Sequence, residues 1–337
     1  MAADHSLPRA FLDEMVERSA AAADACGGAQ RTRLRLAGRP MDMTVVGDEF
    51  GRRITPALRH AVDAAATGSG LSVVVWDRAA SDVLPPALPW SVDDILPTGV
   101  VHEQCTDGLW VHYDRWVRLL SIFDPQRSLA LVHAADASTL PRWMDRSPLR
   151  PVLTRWAAGL GDAVLHASSV VEDGRAVVLA GPSGSGKSTT LMRCLAAGMH
   201  TTGDDACIVQ FESAVRARPM FGLAKLEVDA ADRIEVTPSQ MVGDDDGRPV
   251  FDLGAALSDN AEVRAVAIVT VGDAPTTTWR SITSSEALRG LVEGSVEEGA
   301  GVSLRGLRQL VTAVPCVRLT LGADPLGVVD AVRGLLT

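Results

Sequence analysis

The sequence predicts an α/β nucleotide-binding domain in its C-terminal half, preceded by a smaller α+β domain. Three observations carry this. The stretch Gly181-Pro182-Ser183-Gly184-Ser185-Gly186-Lys187-Ser188 satisfies G-x-x-x-x-G-K-[ST] at every fixed position. An apolar run, Ala176 to Ala180, leads into it, and a helix-like segment, Ser188 to Ala197, leads out. Beyond residue 150, apolar strands and helical segments alternate, the pattern of a layered α/β domain. At 337 residues the chain suits two domains, and the change of pattern divides them into 1–148 and 149–337.

The N-terminal elements follow in order. Phe11 to Cys26 is Ala-rich with helical spacing and is broken by Gly27-Gly28. Arg33 to Leu36 and Met41 to Val46 alternate polar and apolar residues, predicting two strands joined by Gly38-Arg39-Pro40. Thr55-Pro56 has the form of an N-cap and first helical residue for a helix to Ala66. Leu71 to Trp76 is a strand, and a Pro-rich loop follows. Val100 to Glu103, Leu109 to His112, Val117 to Ile122 and Leu129 to His133 are short strands in succession, so the sheet is predicted to be mostly antiparallel. A role in substrate recognition or regulation is expected for this domain.

In the second half, Pro151 to Leu160 reads as a helix, and Ala163 to Val171 and Ala176 to Ala180 as strands around the turn Glu172-Asp173-Gly174. The helix after the Gly-rich loop ends at Gly198, a suitable C-cap. Cys207 to Phe211, Val263 to Val271 and Val317 to Leu321 are strands. Ser284 to Val296, Ser303 to Ala313 and Leu326 to Leu336 are helices.

Composition excludes several classes. The formal net charge is −10 and no Lys/Arg cluster is visible, which argues against a nucleic-acid partner. No stretch approaches 18 apolar residues, so no membrane-spanning helix is expected. Met1 to Phe11 carries Asp4 and lacks an apolar run, so it is not read as a secretory signal, and a cytoplasmic location is expected. The five cysteines lack C-x-x-C pairs and read as free thiols.

The loop carries the chemistry. Gly181, Gly184 and Gly186 let the backbone curl around one anion, with Ser183, Ser185 and Thr189 alongside. The helix that follows adds the positive end of its dipole. Lys187 is expected to reach the β- and γ-phosphates, and the Ser188 hydroxyl to ligate Mg²⁺. Of the 32 Lys and Arg residues only two are lysine, Lys187 and Lys225. A compact ammonium is not replaceable by a planar guanidinium in a phosphate cradle. One lysine falls where the loop requires it, which makes Lys225 a second candidate at the nucleotide. Phosphoryl transfer also needs a carboxylate at the metal and a base toward the acceptor. Asp204-Asp205, just before the strand Cys207 to Phe211, supplies adjacent carboxylates that point different ways.

Taken together, His166-Ala167-Ser168-Ser169, the turn at Asp173-Gly174, the loop Gly181 to Ser188, Gly198 and Asp204-Asp205 resemble the catalytic domain of HPr serine kinase/phosphorylase and its relatives. The resemblance covers roughly 150–337 and is specific from His166 to Val209. It implies the fold shared with phosphoenolpyruvate carboxykinase. It also implies that His166 lies near the transferred phosphate and tunes the acid/base pair. Lys187 and Ser188 would bind phosphate and metal, Asp204 would act as base toward the acceptor hydroxyl, and Asp205 would hold Mg²⁺. The family's Glu-x-Arg-Gly-x-Gly signature is absent. Its nearest counterpart, Glu262-Val263-Arg264-Ala265-Val266-Ala267, lacks both glycines and reads as a strand. The N-terminal half also differs from the family's regulatory domain. The chain is more similar to divergent relatives in actinobacterial gene clusters, some of which phosphorylate a Ser hydroxyl on a ribosomally made peptide. The family forms hexamers, so a homo-oligomer is expected from the same resemblance.

The expected activity is an ATP-dependent kinase transferring the γ-phosphate to a Ser or Thr hydroxyl of a protein or peptide, with Mg²⁺. The alternatives are a kinase for a small hydroxylated metabolite and a non-catalytic nucleotide-dependent regulator. Asp244-Asp245-Asp246-Gly247 lacks the ligand spacing of a calcium loop and reads as a solvated loop, with a border of the acceptor cleft as the alternative. Arg233, Arg248 and Arg264 are candidates to offset transition-state charge. His102, His112 and His133 fit no metal motif. The Trp residues at 76, 90, 110, 116 and 143 crowd the N-terminal half and read as core, with peptide gripping as the alternative.

Overall fold

The structure is a computed structural model and describes residues 7–97, 99–101, 108–227, 241–296 and 304–337. His102, Cys105, Glu103 and Arg233 lie outside these, as does Ser303. The chain forms two compact units, Met1–Trp156 and Ala157–Thr337.

The first unit opens with helix α1 (Leu7–Ala25), then β1 (Gln30–Leu36), β2 (Arg39–Val46), α2 (Asp48–Leu58), β3 (Leu71–Asp77), β4 (Trp110–Asp114), β5 (Leu119–Asp124) and β6 (Leu129–Ala134). The strands make one sheet in the order β1-β2-β3-β6-β5-β4. Most of its pairings are antiparallel, as expected, with β1, β5 and β4 pairing that way, but β2, β3 and β6 run parallel at its centre. Helix α1 lays Phe11, Leu12, Met15 and Ala22 against Trp76, Leu120, Ile122 and Leu131.

Thr55-Pro56 does not start a helix. Helix α2 begins at Asp48, whose charge and that of Glu49 suit the positive end of the dipole. Pro56 sits inside its last turn, after which the chain passes into a 3₁₀ turn at Arg59–Ala61. Val100 and Val101 make only isolated bridges, to His112 and Ile95.

Among the tryptophans, Trp76 is fully buried and Trp110 is buried. Trp90 packs edge-on to Phe11, with ring centroids 5.3 Å apart. Trp143 is exposed, and Trp116 is 84 % exposed at the β4–β5 turn, with the Arg115 guanidinium 5.3 Å from its ring centroid.

His133, on β6, is buried against Trp76 at 4.7 Å. Burial, aided by the nearby Arg78 charge, lowers its pKa to about 4. The unfolded imidazole titrates near 6.5, so between these values the unfolded chain binds the extra proton. The neutral His133 therefore contributes stability above pH about 6.5, and that contribution is lost as pH falls toward about 4. The loss amounts to roughly 3 kcal/mol on the scale of 1.36 kcal/mol per unit. Thermal melting of the protein between pH 7 and 4 is expected to show it, and His133→Phe, which keeps a ring and removes the titrating nitrogens, to flatten it.

Helix α3 (Arg150–Gly159) straddles the division between the units. The second unit continues with β7 (Ala163–Leu165), β8 (Ser168–Glu172), β9 (Arg175–Ala180), α4 (Lys187–Ala196), β10 (Cys207–Phe211), β11 (Val215–Pro219), β12 (Leu223–Lys225), β13 (Met241–Asp245), β14 (Arg248–Asp252) and β15 (Ala261–Val271). It ends with β16 (Thr278–Ser281), α5 (Ser284–Val296), α6 (Leu304–Ala313), β17 (Cys316–Leu321) and α7 (Pro325–Gly334). The 11-residue β15 is the hub, parallel to β9 on one side and to β17 on the other, and antiparallel to β11 at its start.

The central strands are apolar on both faces, as parallel strands covered by helices require. Along β9, Ala176, Val178 and Ala180 face one core with Leu291, Leu307 and Leu310, while Val177 and Leu179 face the other with Leu191, Val328 and Val332. A separate three-stranded sheet, β12-β14-β13, packs Ala224, Leu226, Phe251 and Leu253 against Met192 of α4.

One strand over 163–171 is not what forms. β7 pairs with β10 and β8 with β9, and His166-Ala167 is the break between them. Asp244 to Gly247 is a hairpin tip rather than a free loop, with Asp245 buried. Arg264 lies in the first half of β15 and pairs with Glu262 at 2.9 Å. Of the described cysteines, Cys194, Cys207 and Cys316 are buried and Cys26 is exposed, all as free thiols. Burial pushes the Cys194 thiol up to about 12. Among the described residues no helix is long and apolar enough to cross a membrane.

Candidate functional site

Strands β9, β15 and β17 run parallel, so their C-terminal ends share one edge, where ligands of open α/β sheets sit. Gly181 to Gly186 turns at that edge and passes into α4. Gly186 caps the helix in the left-handed conformation (φ 96°), and a Cβ there would come 2.5 Å from Leu321 Cδ1. The positive φ favours glycine, whereas the leucine methyl, at the end of a flexible side chain, can give way. The first turn of α4 thus presents its N–H groups on the loop side.

Lys187, buried in this turn, donates from Nζ to the carbonyls of Gly181 (2.8 Å) and Pro182 (3.1 Å). The ammonium is thereby held across the mouth of the loop. Ser183 and Gly184 are exposed at the loop's crest, Ser185 is buried beneath it, and Thr189 is half-buried one position beyond Ser188.

A second approach to the loop comes from α5. A Cβ on Gly294 would come 2.7 Å from the Gly181 carbonyl oxygen, the same oxygen that Lys187 holds. Gly294→Ala is expected to displace the loop. Overpacking against backbone costs about 1–3 kcal/mol, more than the roughly 1 kcal/mol that alanine adds to helix propensity. Thermal melting reads the first effect, and a nucleotide titration reads the loop's displacement as weakened affinity.

The acidic pair sits opposite. Asp204 is 2 % exposed, and its Oδ1 accepts hydrogen bonds from Ser188 Oγ (2.9 Å) and Ser168 Oγ. Its Oδ2 accepts from the Lys225 backbone N–H at 3.4 Å. Asp205 adopts a left-handed backbone (φ 68°), a conformation that costs a non-glycine residue of order 1 kcal/mol and clusters at functional sites. That twist sends its side chain elsewhere: Asp205 Oδ1 lies 3.4 Å from His166 Nδ1. The break between β7 and β8 is what places His166 there.

A buried hydroxyl network pins the segment carrying both carboxylates. Thr201 Oγ1 donates to the Ser169 carbonyl at 2.7 Å, Ser169 Oγ and Thr202 Oγ1 share a 2.7 Å hydrogen bond, and Ser169 N–H reaches the Gly203 carbonyl at 3.1 Å.

Lys225 is not a stray surface residue. It ends β12 with its main chain against Asp204, and its Nζ lies 3.6 Å from the buried Asp245 Oδ2. The site therefore gathers Lys187, Ser188, Asp204, Asp205, His166 and Lys225. Arg264 stays with Glu262, and Arg248 donates to Glu227 at 3.4 Å.

Sequence reasoning missed Ser168 as a donor to Asp204, Gly294 as the loop's neighbour, and Asp245. The signal for Ser168 was present, two positions after His166. Asp245 stood out only as part of the run Asp244 to Gly247, and nothing local marked Gly294.

No protein-family model matches the chain, and no curated protein matches it. Among solved structures it is similar to the HPr(Ser) kinase/phosphatase from Coxiella burnetii, over 51 % of this chain and 94 % of that one, at 14 % identity and a TM-score of 0.27. Likeness at that level shows neither family nor activity. What the structure does show is two mixed sheets layered with helices and the constellation described above.

Proposed function

We propose that the second unit is an ATP-dependent phosphotransferase that moves the γ-phosphate to a Ser or Thr hydroxyl of a protein or peptide. The observation that carries this is the Ser188–Asp204 hydrogen bond (2.9 Å) beside the Lys187-capped loop. A hydroxyl and a carboxylate brought together at the end of a phosphate loop form the hard-oxygen pair that Mg²⁺ takes alongside nucleotide phosphates.

The residues fit their parts. The Gly-rich loop and the first turn of α4 supply backbone donors for phosphate oxygens. Lys187 exchanges its two loop carbonyls for phosphate oxygens. Ser188 and Asp204 would hold Mg²⁺, which neutralises charge on the phosphates when bound. Asp205, less buried and paired with His166, faces the acceptor and takes the hydroxyl proton on its carboxylate. This exchanges the two roles that the family resemblance gives Asp204 and Asp205. The reason is that Asp204 is held at Oδ1 by Ser188 and Ser168 and at Oδ2 by the Lys225 N–H, while Asp205 is the one that lies beside His166.

The peptide class of acceptor rests on the sequence resemblance and on the exposed Trp116 and Trp143 of the first unit, side chains suited to gripping a chain. Incubation with γ-labelled ATP, Mg²⁺ and Ser/Thr peptides or hydroxylated metabolites tests it. Label on peptide is expected. Label on metabolites alone overturns the acceptor class, and no label on either overturns the transfer.

A further inference from the structure

The hairpin β13–β14 puts one of its three consecutive aspartates where solvation cannot stabilise it. Its two-residue turn, Asp246-Gly247, has positive φ at both positions (53° and 81°), which lets adjacent strands close tightly. Alternation along β13 then separates the neighbours. Asp244 is exposed and accepts from Gly247 N–H at 2.7 Å, whereas Asp245 is 1 % exposed. A carboxylate taken that far from water needs a compensating cation. Lys225, one of the chain's two lysines, stands 3.6 Å away.

The register explains how the two meet. Lys225 pairs across β14 with Val250, and Asp245 pairs with Arg248, so the lysine and the aspartate flank β14 from opposite sides. The hairpin is thereby tied to the residue whose main chain touches Asp204. A lysine side chain has a flexible four-carbon stem and loses entropy when its ammonium is confined. A buried, fixed carboxylate does the confining in advance.

We propose that Lys225 is a phosphate-binding cation at the γ-phosphate end of the site, and that Asp245 is the positioning residue that holds it there. Lys187 serves the loop side of the phosphates and Lys225 the side beyond Asp204. The inference rests on the phosphotransfer reading and deepens it. It assigns to the hairpin the discrimination between a nucleoside triphosphate and the diphosphate left after transfer.

The test is titration of the full chain with N-methylanthraniloyl-labelled ATP and ADP in Mg²⁺, together with thermal melting without nucleotide. Wild type is expected to prefer the triphosphate. Lys225→Met and Asp245→Asn are each expected to cut that preference roughly tenfold, the loss of one charge-assisted contact, while diphosphate affinity stays within about twofold of wild type. The double variant is expected to match Lys225→Met alone, because Asp245 acts through the lysine. If Asp245→Asn does not fold, Asp245→Glu, which keeps the charge and moves it by one methylene, is expected to reduce the preference in a folded protein.

An unchanged preference in Lys225→Met or in the folded Asp245 variant overturns the proposal. So does a double variant that loses the product of both effects. Failure of wild type to bind either nucleotide removes the phosphotransfer reading itself, an outcome distinct from binding without the lysine-dependent preference.

Discussion

Lys187→Ala is expected to abolish tight MgATP binding and to lower phosphotransfer by roughly 10²–10³-fold, the scale for removing one preorganised cation or donor from a transferring phosphoryl group. The physical reason is placement. Lys187 Nζ spans the Gly181 and Pro182 carbonyls at 2.8 and 3.1 Å, so the charge is already at the loop mouth before nucleotide arrives. Binding exchanges these two carbonyls for phosphate oxygens, and the new contact strengthens where charge moves in transfer. Lys187→Arg is expected to be nearly as damaging. The guanidinium is planar and larger, and the side chain at 187 is buried. A nucleotide titration with label transfer measures both variants. Wild-type affinity in Lys187→Ala contradicts the placement of the phosphates.

The second large effect separates the two aspartates. Asp204→Asn is expected to lose Mg²⁺-dependent nucleotide binding, because the amide carries no charge and sets its NH2 against a donor in either orientation, the two serine hydroxyls or the Lys225 N–H. Asp205→Asn is expected to bind MgATP with affinity near wild type and to lose transfer by roughly 10²–10⁴-fold, the range for removing a general base. Affinity measured against Mg²⁺ concentration, set beside the rate of label transfer, distinguishes them. If Asp205→Asn loses Mg²⁺-dependent binding while Asp204→Asn keeps it, the roles stand as the family resemblance assigns them.

Much of this site is legible in the sequence because its parts are local. A glycine-rich turn between an apolar run and a helix can be read from eight residues, and β9 and α4 form where those residues place them. Gly198 ends α4 as its φ of 85° requires, and Met199 N–H reaches back to the Cys194 carbonyl at 3.0 Å. The Asp204-Asp205 pair is visible in the sequence as chemistry, but the separate surroundings of the two carboxylates are not. Those depend on a left-handed residue and on a strand break at His166, both set by tertiary context.

The misses share a cause. Thr55-Pro56 has the local form of a helix start, yet Asp48 and Glu49 upstream start it instead, and the proline is absorbed in the last turn. Asp244 to Asp246 has the composition of a solvated loop. Asp245 is buried because a lysine twenty residues earlier in the chain lies two strands away, a pairing that no short window contains. Gly294 gives no sign by itself, since its only requirement is the Gly181 carbonyl against which α5 packs. The lysine count is a global feature of the sequence that singles out Lys225 without any motif, and the structure sets the main chain of that residue against Asp204.

In the proposed reaction this constellation transfers phosphate to a hydroxyl, with Ser188 and Asp204 at the metal end and Asp205 at the acceptor. The most direct measurement follows γ-label from ATP to Ser/Thr peptides in wild type and Asp205→Asn, with MgATP affinity recorded for each. Labelled peptide is expected in wild type, and in Asp205→Asn unlabelled peptide with affinity preserved. Label transferred by Asp205→Asn at the wild-type rate contradicts the proposal.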